Sequence, residues 1–288
     1  MDGVINVYKE KGMTSFDVVS KIKKIFKTKK VGHTGTLDPN ATGVLPICIG
    51  NMTKLVQYIT NHDKEYFAVV KLGIKTDTAD ITGNIIEEND IPKLTYEKIV
   101  DVTKEFIGKS MQLPPMYSAI KINGKKLYEL AREGKEIERE ARPIEIYDIT
   151  DVILLLEENT FSFRVKCSKG TYIRTLCEDI CQKLGTIGTI LELERISTGV
   201  FNKGNSYTLS QIENIVKDGD VTSLLYNVED IFVEYPRLEI PKHKLQYYLN
   251  GVKLTYILEN GIYKVYFQDK FIGLGEINDN LLKRKFVI

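Results

Sequence analysis

The chain has 288 residues, 43% of them hydrophobic and 27% charged, and its net charge is +1. These values describe a globular protein of one large domain, or one large and one small, with an ample core. They exclude a helical membrane protein, since no apolar run approaches the ~20 residues of a span, and the bulk charge does not advertise nucleic-acid binding.

Residues 3–8 read as a short strand, and Lys9-Glu10-Lys11-Gly12-Met13 turns the chain toward a helix with Thr14 or Ser15 as N-cap. Val18, Val19, Ile22, Ile25 and Phe26 form its apolar stripe. Residues 1–30 hold eight lysines against three acids, and this lysine face is either solvated or turned toward phosphates. Gly32 to Pro46 then packs three glycines, two prolines, His33 and the isolated carboxylate Asp38 into one stretch. Gly opens backbone angles closed to other residues and Pro fixes its own, so the stretch reads as a shaped loop. Such a loop either presents a site or is a turn in which Asp38 caps a backbone amide.

Ile47-Cys48-Ile49 reads as a strand, Met52 to Ile59 as a helix, and Lys64 to Leu72 alternates as a strand with Tyr66, Ala68, Val70 and Leu72 on one face and Phe67, Val69 and Lys71 on the other. Tyr66 there is either core packing or a stacking or phenolic group. Ile85-Ile86 is strand again, and Thr95 to Phe106 is helix ending at Gly108. Tyr117 to Ile122 reads as a strand entering a tight turn at Asn123-Gly124, followed by a short helix over Leu127 to Arg132. Seven basic residues between Lys121 and Arg142 lie near Tyr117 and Tyr128. That composition suits looped RNA, through phosphate pairing and base stacking, as well as it suits an exposed helical excursion.

Ile144 to Leu156 and Phe161 to Ser168 form two strands, and Thr171 caps a helix with a buried stripe of Ile173, Leu176, Cys177, Ile180, Cys181 and Leu184. Arg174 in its first turn is disfavoured by the helix dipole, so it calls for a carboxylate partner, structural or in a site. Ile190 to Ile196 is strand and residues 208–233 are one or two helices. From Tyr235 onward short β-type segments with glycine turns form a small all-β unit, which sets a boundary near residues 230–236.

The four cysteines form no Cys-x-x-Cys pair and leave metal spacing unmet, so they read as buried reduced thiols of a cytoplasmic protein without a leader. His33, His62 and His243 are too scattered to nominate a metal site. No Walker loop, dinucleotide fingerprint or nucleophile elbow is present. What remains is carboxylate chemistry, in which Asp38 could be a nucleophile provided that a cation such as Arg174 holds it ionised.

Gly32-His33-Thr34-Gly35-Thr36-Leu37-Asp38-Pro39 with Ala41-Thr42-Gly43-Val44-Leu45-Pro46 resembles the signature of the TruB family of tRNA pseudouridine synthases. The likeness continues through Lys11 to Ser15, Lys64-Glu65-Tyr66, Thr76-Asp77-Thr78 with Asp80 and Gly83, Pro115 to Ala119, Gly124 to Tyr128, and Cys167 to Thr175. Glu10 stands where the family often has proline, and the tail after Tyr235 matches only around Phe271 to Glu276.

The resemblance implies an α+β fold. Residues 1–232 would form a catalytic domain on a mixed, largely antiparallel sheet, with an RNA-clamping insertion at about 115–142. Residues 233–288 would form a small PUA-like RNA-binding domain. It implies isomerisation of uridine 55 in the tRNA T loop to pseudouridine by a monomer, with no metal or organic cofactor and no membrane. By matching position, Asp38 is the nucleophile, Arg174 its partner, and Tyr66 the tyrosine packed on the target base. Tyr172 and Leu193 line the uracil pocket, and His33 helps hold the T loop with its base extruded. A base must leave its stack before its glycosidic bond is reached, which suits such a pocket. The competing reading is a non-catalytic tRNA-binding or folding protein on the same scaffold.

Overall fold

The computed structural model describes residues 1–122 and 124–288. Asn123, half of the tight turn expected at Asn123-Gly124, lies outside the described residues. The N-terminal half runs β1 (Gly3–Lys9), α1 (Ser15–Ile25), β2 (Val31–His33), β3 (Thr42–Ile49), α2 (Val56–Ile59), β4 (Lys64–Leu72), β5 (Ile74–Thr76), β6 (Ile85–Glu88), α3 (Tyr96–Lys104) and β7 (Gly108–Gln112). The hairpin β8 (Lys121–Ile122) and β9 (Lys125–Lys126) leads through α4 (Leu127–Arg132) to β10 (Arg142–Leu155), β11 (Thr160–Cys167), α5 (Ile173–Leu184), β12 (Gly188–Thr198), β13 (Phe201–Asn202), α6 (Leu209–Lys217) and α7 (Val228–Ile231).

A nine-stranded sheet carries the fold in the order β1-β3-β12-β4-β11-β10-β7, with β2 beside β3 and β13 beside β12. Only β12 and β3 pair in parallel; the remaining pairs are antiparallel. Strict alternation makes β4 a central strand, because Tyr66, Ala68, Val70 and Leu72 all face the core. They meet Val165, Phe163 and Phe161 of β11 across the ladder, and the predicted stripe of α5 covers that face. All four cysteines are buried and unpaired. No described helix is long and apolar enough to cross a membrane.

Three local expectations change. The glycine- and proline-rich stretch is not all loop, since β3 begins at Thr42 and contains Pro46. Asn6, opposite Pro46, directs its carbonyl away to Tyr207, so this is a non-hydrogen-bonded pair and the absent proline N–H costs the ladder nothing. Tyr117 to Ile120 is not strand, because the Tyr117 and Ser118 carbonyls accept from Arg174 and from the Tyr128 amide. Thr171 does not cap α5; its hydroxyl donates to the Ser168 carbonyl, and Tyr172 holds the N-cap position.

From Arg237 the chain forms a second sheet. It comprises β14 (Arg237–Glu239), β15 (Leu254–Thr255), β16 (Gly261–Phe267), β17 (Lys270–Asn278) and β18 (Leu281–Val287), in the order β14-β16-β17-β18-β15. This unit also contains a helix, α8 (Lys242–Leu249), that the sequence reads as part of a β-only region. Leu274 and Phe286 of the second sheet join Val44, Cys48, Phe201 and Phe232 in one apolar cluster.

Candidate active site

Asp38 sits in the turn between β2 and β3. The Ser15 hydroxyl shapes that turn from one side by accepting the Leu37 amide and donating to the Leu37 carbonyl. From beneath, the buried Lys9 ammonium donates to the carbonyls of Pro39 (3.2 Å), Met13 (2.6 Å) and Glu10 (3.1 Å). Gly43 closes the turn at φ +105°, and a Cβ there would stand 2.2 Å from the Arg195 carbonyl oxygen of β12. Only glycine satisfies both conditions.

The first turn of α5 brings Arg174 to the carboxylate, with Nε 3.0 Å from Oδ2 and Nη2 3.5 Å from Oδ1 of Asp38. Arg174 is 5% exposed. It also donates to the Thr78 carbonyl at 2.9 Å and the Tyr117 carbonyl at 2.7 Å, so three separate segments converge on it. A planar fork with five donors can serve three acceptors at once, which a lysine cannot. Burial pushes the Asp38 carboxyl upward, Arg174 opposes that rise, the Asp80 carboxylate adds to it, and Lys9 opposes it. A third of the Asp38 side chain remains open to solvent, so the carboxylate is paired yet reachable.

Tyr66 is buried on β4, directly opposite Arg195 of β12. Burial raises its phenol, and Arg195 works against the rise. Leu193 lies on the same side of β12, opposite Ala68, and is half-buried. Tyr172 is fixed by Gln112 of β7, whose amide accepts the Tyr172 N–H at 2.8 Å and donates to its carbonyl at 3.0 Å. Its phenol is also raised by burial. His33 ends β2, where Nδ1 accepts the Gly35 amide at 3.4 Å; burial, reinforced by Arg195, keeps its imidazole below the usual value and so neutral near pH 7.

The structure brings Asp38 and Arg174 into direct contact and gathers Tyr66, Leu193, Tyr172 and His33 on the elements around them. Sequence reasoning assigned no role to Lys9, Asp80 or Arg195. Asp80 is 8% exposed, and its carboxylate accepts from Thr78 and Thr82 in the turn that offers Arg174 its carbonyl. The available signal for Arg195 was its place two residues from Leu193 on the same strand. Among the described residues no group of three His, Cys, Asp or Glu side chains converges as a metal site.

Comparison with known proteins identifies the family of the chain. Residues 23–173 match the TruB family pseudouridylate synthase N-terminal domain, and residues 174–232 match the tRNA pseudouridylate synthase B C-terminal domain. A "tRNA pseudouridine synthase B" of Clostridium tetani is 50% identical over 96% of each chain. One of Francisella philomiragia is 43% identical over 99% of this chain and 95% of its own. A solved structure titled "Structure of H/ACA RNP bound to a substrate RNA containing 2'-deoxyuridine" superposes with a TM-score of 0.72 at 27% identity, covering 95% of this chain and 77% of that one. The Asp38 loop lies inside the first matched domain, the second begins at Arg174, and the chain belongs to the TruB family of pseudouridylate synthases.

Proposed function

We propose that this protein converts uridine 55 in the T loop of tRNA to pseudouridine, with Asp38 as the nucleophile that helps break the N-glycosidic bond. The observation that carries this reading is the Asp38–Arg174 pair, a solvent-reachable carboxylate held at 3.0 Å from a buried guanidinium. RNA binding alone does not require such a pair. The relatives named as tRNA pseudouridine synthases support the RNA class.

The reaction is an isomerisation. The N1–C1′ bond breaks, the base turns, C5 bonds to C1′, C5 loses a proton and N1 gains one, so no redox partner enters. Asp38 acts ionised, with Arg174 supporting its charge. Tyr66 packs against the extruded base and handles its proton, while Tyr172 and Leu193 close the uracil pocket and retain the cleaved base. His33 props the loop from which the base has left. Residues 115–142 clamp the T stem-loop, and Tyr117 at their start reaches Arg174. Residues 1–232 act as the catalytic domain and 233–288 as a PUA-like RNA-binding domain, in a cytoplasmic monomer.

Tritium release from a T stem-loop labelled at C5 of uracil tests the reading. Wild type releases tritium only when uridine occupies position 55. Asp38→Asn loses turnover by at least about 10³-fold while binding the RNA within about threefold. Equal turnover by the variant refutes the nucleophile, and release from a loop lacking that uridine refutes the position.

A further inference from the structure

Arg195 is among the largest side chains fully enclosed by the protein, at 1% exposure. Its guanidinium is held by carbonyls, with Nε donating to Val44 at 2.6 Å and Nη2 to Gly35 at 3.2 Å. These two carbonyls flank the Asp38 turn on either side. A guanidinium has five N–H donors, so these bonds leave part of the fork uncommitted. Burying a cation without an anion is costly, and tying down two carbonyls does not by itself call for a charge.

The ladder supplies a use for it. Arg195 stands directly opposite Tyr66 in the β12–β4 register, and Tyr66 faces the core. Residues so paired have Cβ atoms about 5 Å apart. The arginine cannot retreat, because its own backbone abuts Gly43 on the far side. A buried phenol resists ionisation, and Arg195 opposes the effect of burial on this one.

We propose that Arg195 is the positioning residue of Tyr66, an assignment that rests on the role proposed for Tyr66 above: its uncommitted N–H groups donate to the phenol oxygen and hold negative charge there. In the proton step the phenolate oxygen takes the C5 hydrogen of the rejoined base. The C–H electron pair returns to the ring, and the phenol later gives that proton to solvent. Arg195 touches no reacting atom of the nucleotide.

The experiment is a double-mutant cycle read by single-turnover tritium release, with RNA binding and thermal melting measured on each variant. Arg195→Gln slows the single-turnover rate about 10²-fold while RNA affinity stays within about threefold. Arg195→Lys, which keeps the charge, recovers about tenfold of that loss. In a Tyr66→Phe background Arg195→Gln costs less than about threefold, because the group it serves is gone. Equal costs in both backgrounds, or a loss confined to RNA affinity, overturn the assignment. Should Tyr66→Phe fall below detection, the lysine comparison decides, and lysine no better than glutamine overturns it. Should Arg195→Gln fail to fold, Arg195→Lys decides alone: a slowed single turnover with intact binding supports the assignment, and an unchanged rate overturns it. A wild-type protein that releases no tritium overturns the proposed reaction itself.

Discussion

Arg174→Ala separates electrostatic support of Asp38 from simple packing. At 3.0 Å and an effective dielectric of about 20, two unit charges attract by about 5.5 kcal/mol. With 34% of the Asp38 side chain open to water, screening leaves roughly half, about 2–3 kcal/mol. Burial already pushes the Asp38 carboxyl up, so losing the cation pushes it further in the same direction. A group with a raised value is protonated on the acid side, so turnover climbs with pH through its titration. In Arg174→Ala that acid limb moves to higher pH. Along it the rate falls about 10²-fold at a given pH, the equivalent of 2–3 kcal/mol, and recovers once pH passes the new limb. The assay is single-turnover tritium release from a T stem-loop between pH 6 and 9.5, with circular dichroism melts at each pH. The variant also strands the Thr78 and Tyr117 carbonyls, at about 1 kcal/mol or more each, which the melts report separately. A profile lowered equally at every pH with an unmoved limb refutes the electrostatic account.

Two stability measurements test the supports of the turn. Lys9 is fully buried, and desolvation holds its ammonium at about 8 against an ordinary 10.5. A depressed value means stability that is present above 10.5 and lost as pH falls through about 8. The unfolding free energy of wild type minus Lys9→Met, by urea titration, therefore rises by at most about 3 kcal/mol across that window, and a flat difference refutes the assignment. Gly43→Ala places a Cβ at φ +105° and 2.2 Å from a backbone oxygen of β12. It should lower the melting temperature by about 10 °C or leave the chain insoluble, whereas a melt within about 2 °C of wild type would contradict the close approach.

What the sequence makes legible is what burial writes with a regular period. β4 and α5 each bury one face, so alternation and helical spacing mark them. α8 escapes such reading because only Tyr248 is buried along it while its neighbour Tyr247 is exposed. The Thr171 hydroxyl found a carbonyl rather than helix amides, and such competition between local partners has no periodic trace. Asp38 and Arg174 stood out as misfits, a lone acid in a glycine-rich turn and a cation at a helix start. Lys9 at a strand end looks like any exposed lysine. Arg195 was hidden because register shifts beside Leu191 and Ile196 break the alternation of β12.

The same buried groups explain how a chain of net charge +1 makes an electropositive site. Among the described residues Lys9, Lys64, Arg174 and Arg195 are buried cations, against the single buried carboxylate of Asp80. Three are held by carbonyl oxygens alone, three for Lys9 and two each for Lys64 and Arg195, while Arg174 divides its fork between two carbonyls and the Asp38 carboxylate. Carbonyl dipoles solvate a cation without neutralising it, so the charge of Lys9 still acts on Asp38 and that of Arg195 on the Tyr66 phenol. The carbonyls of Gly35, Pro39, Thr78 and Tyr117 belong to the turns around Asp38 and Arg174, and that of Val44 to the start of β3 just after the Asp38 turn. Charge and shape are therefore set by one group of bonds, and a substitution that removes a cation here alters both the potential at the carboxylate and the backbone that presents it.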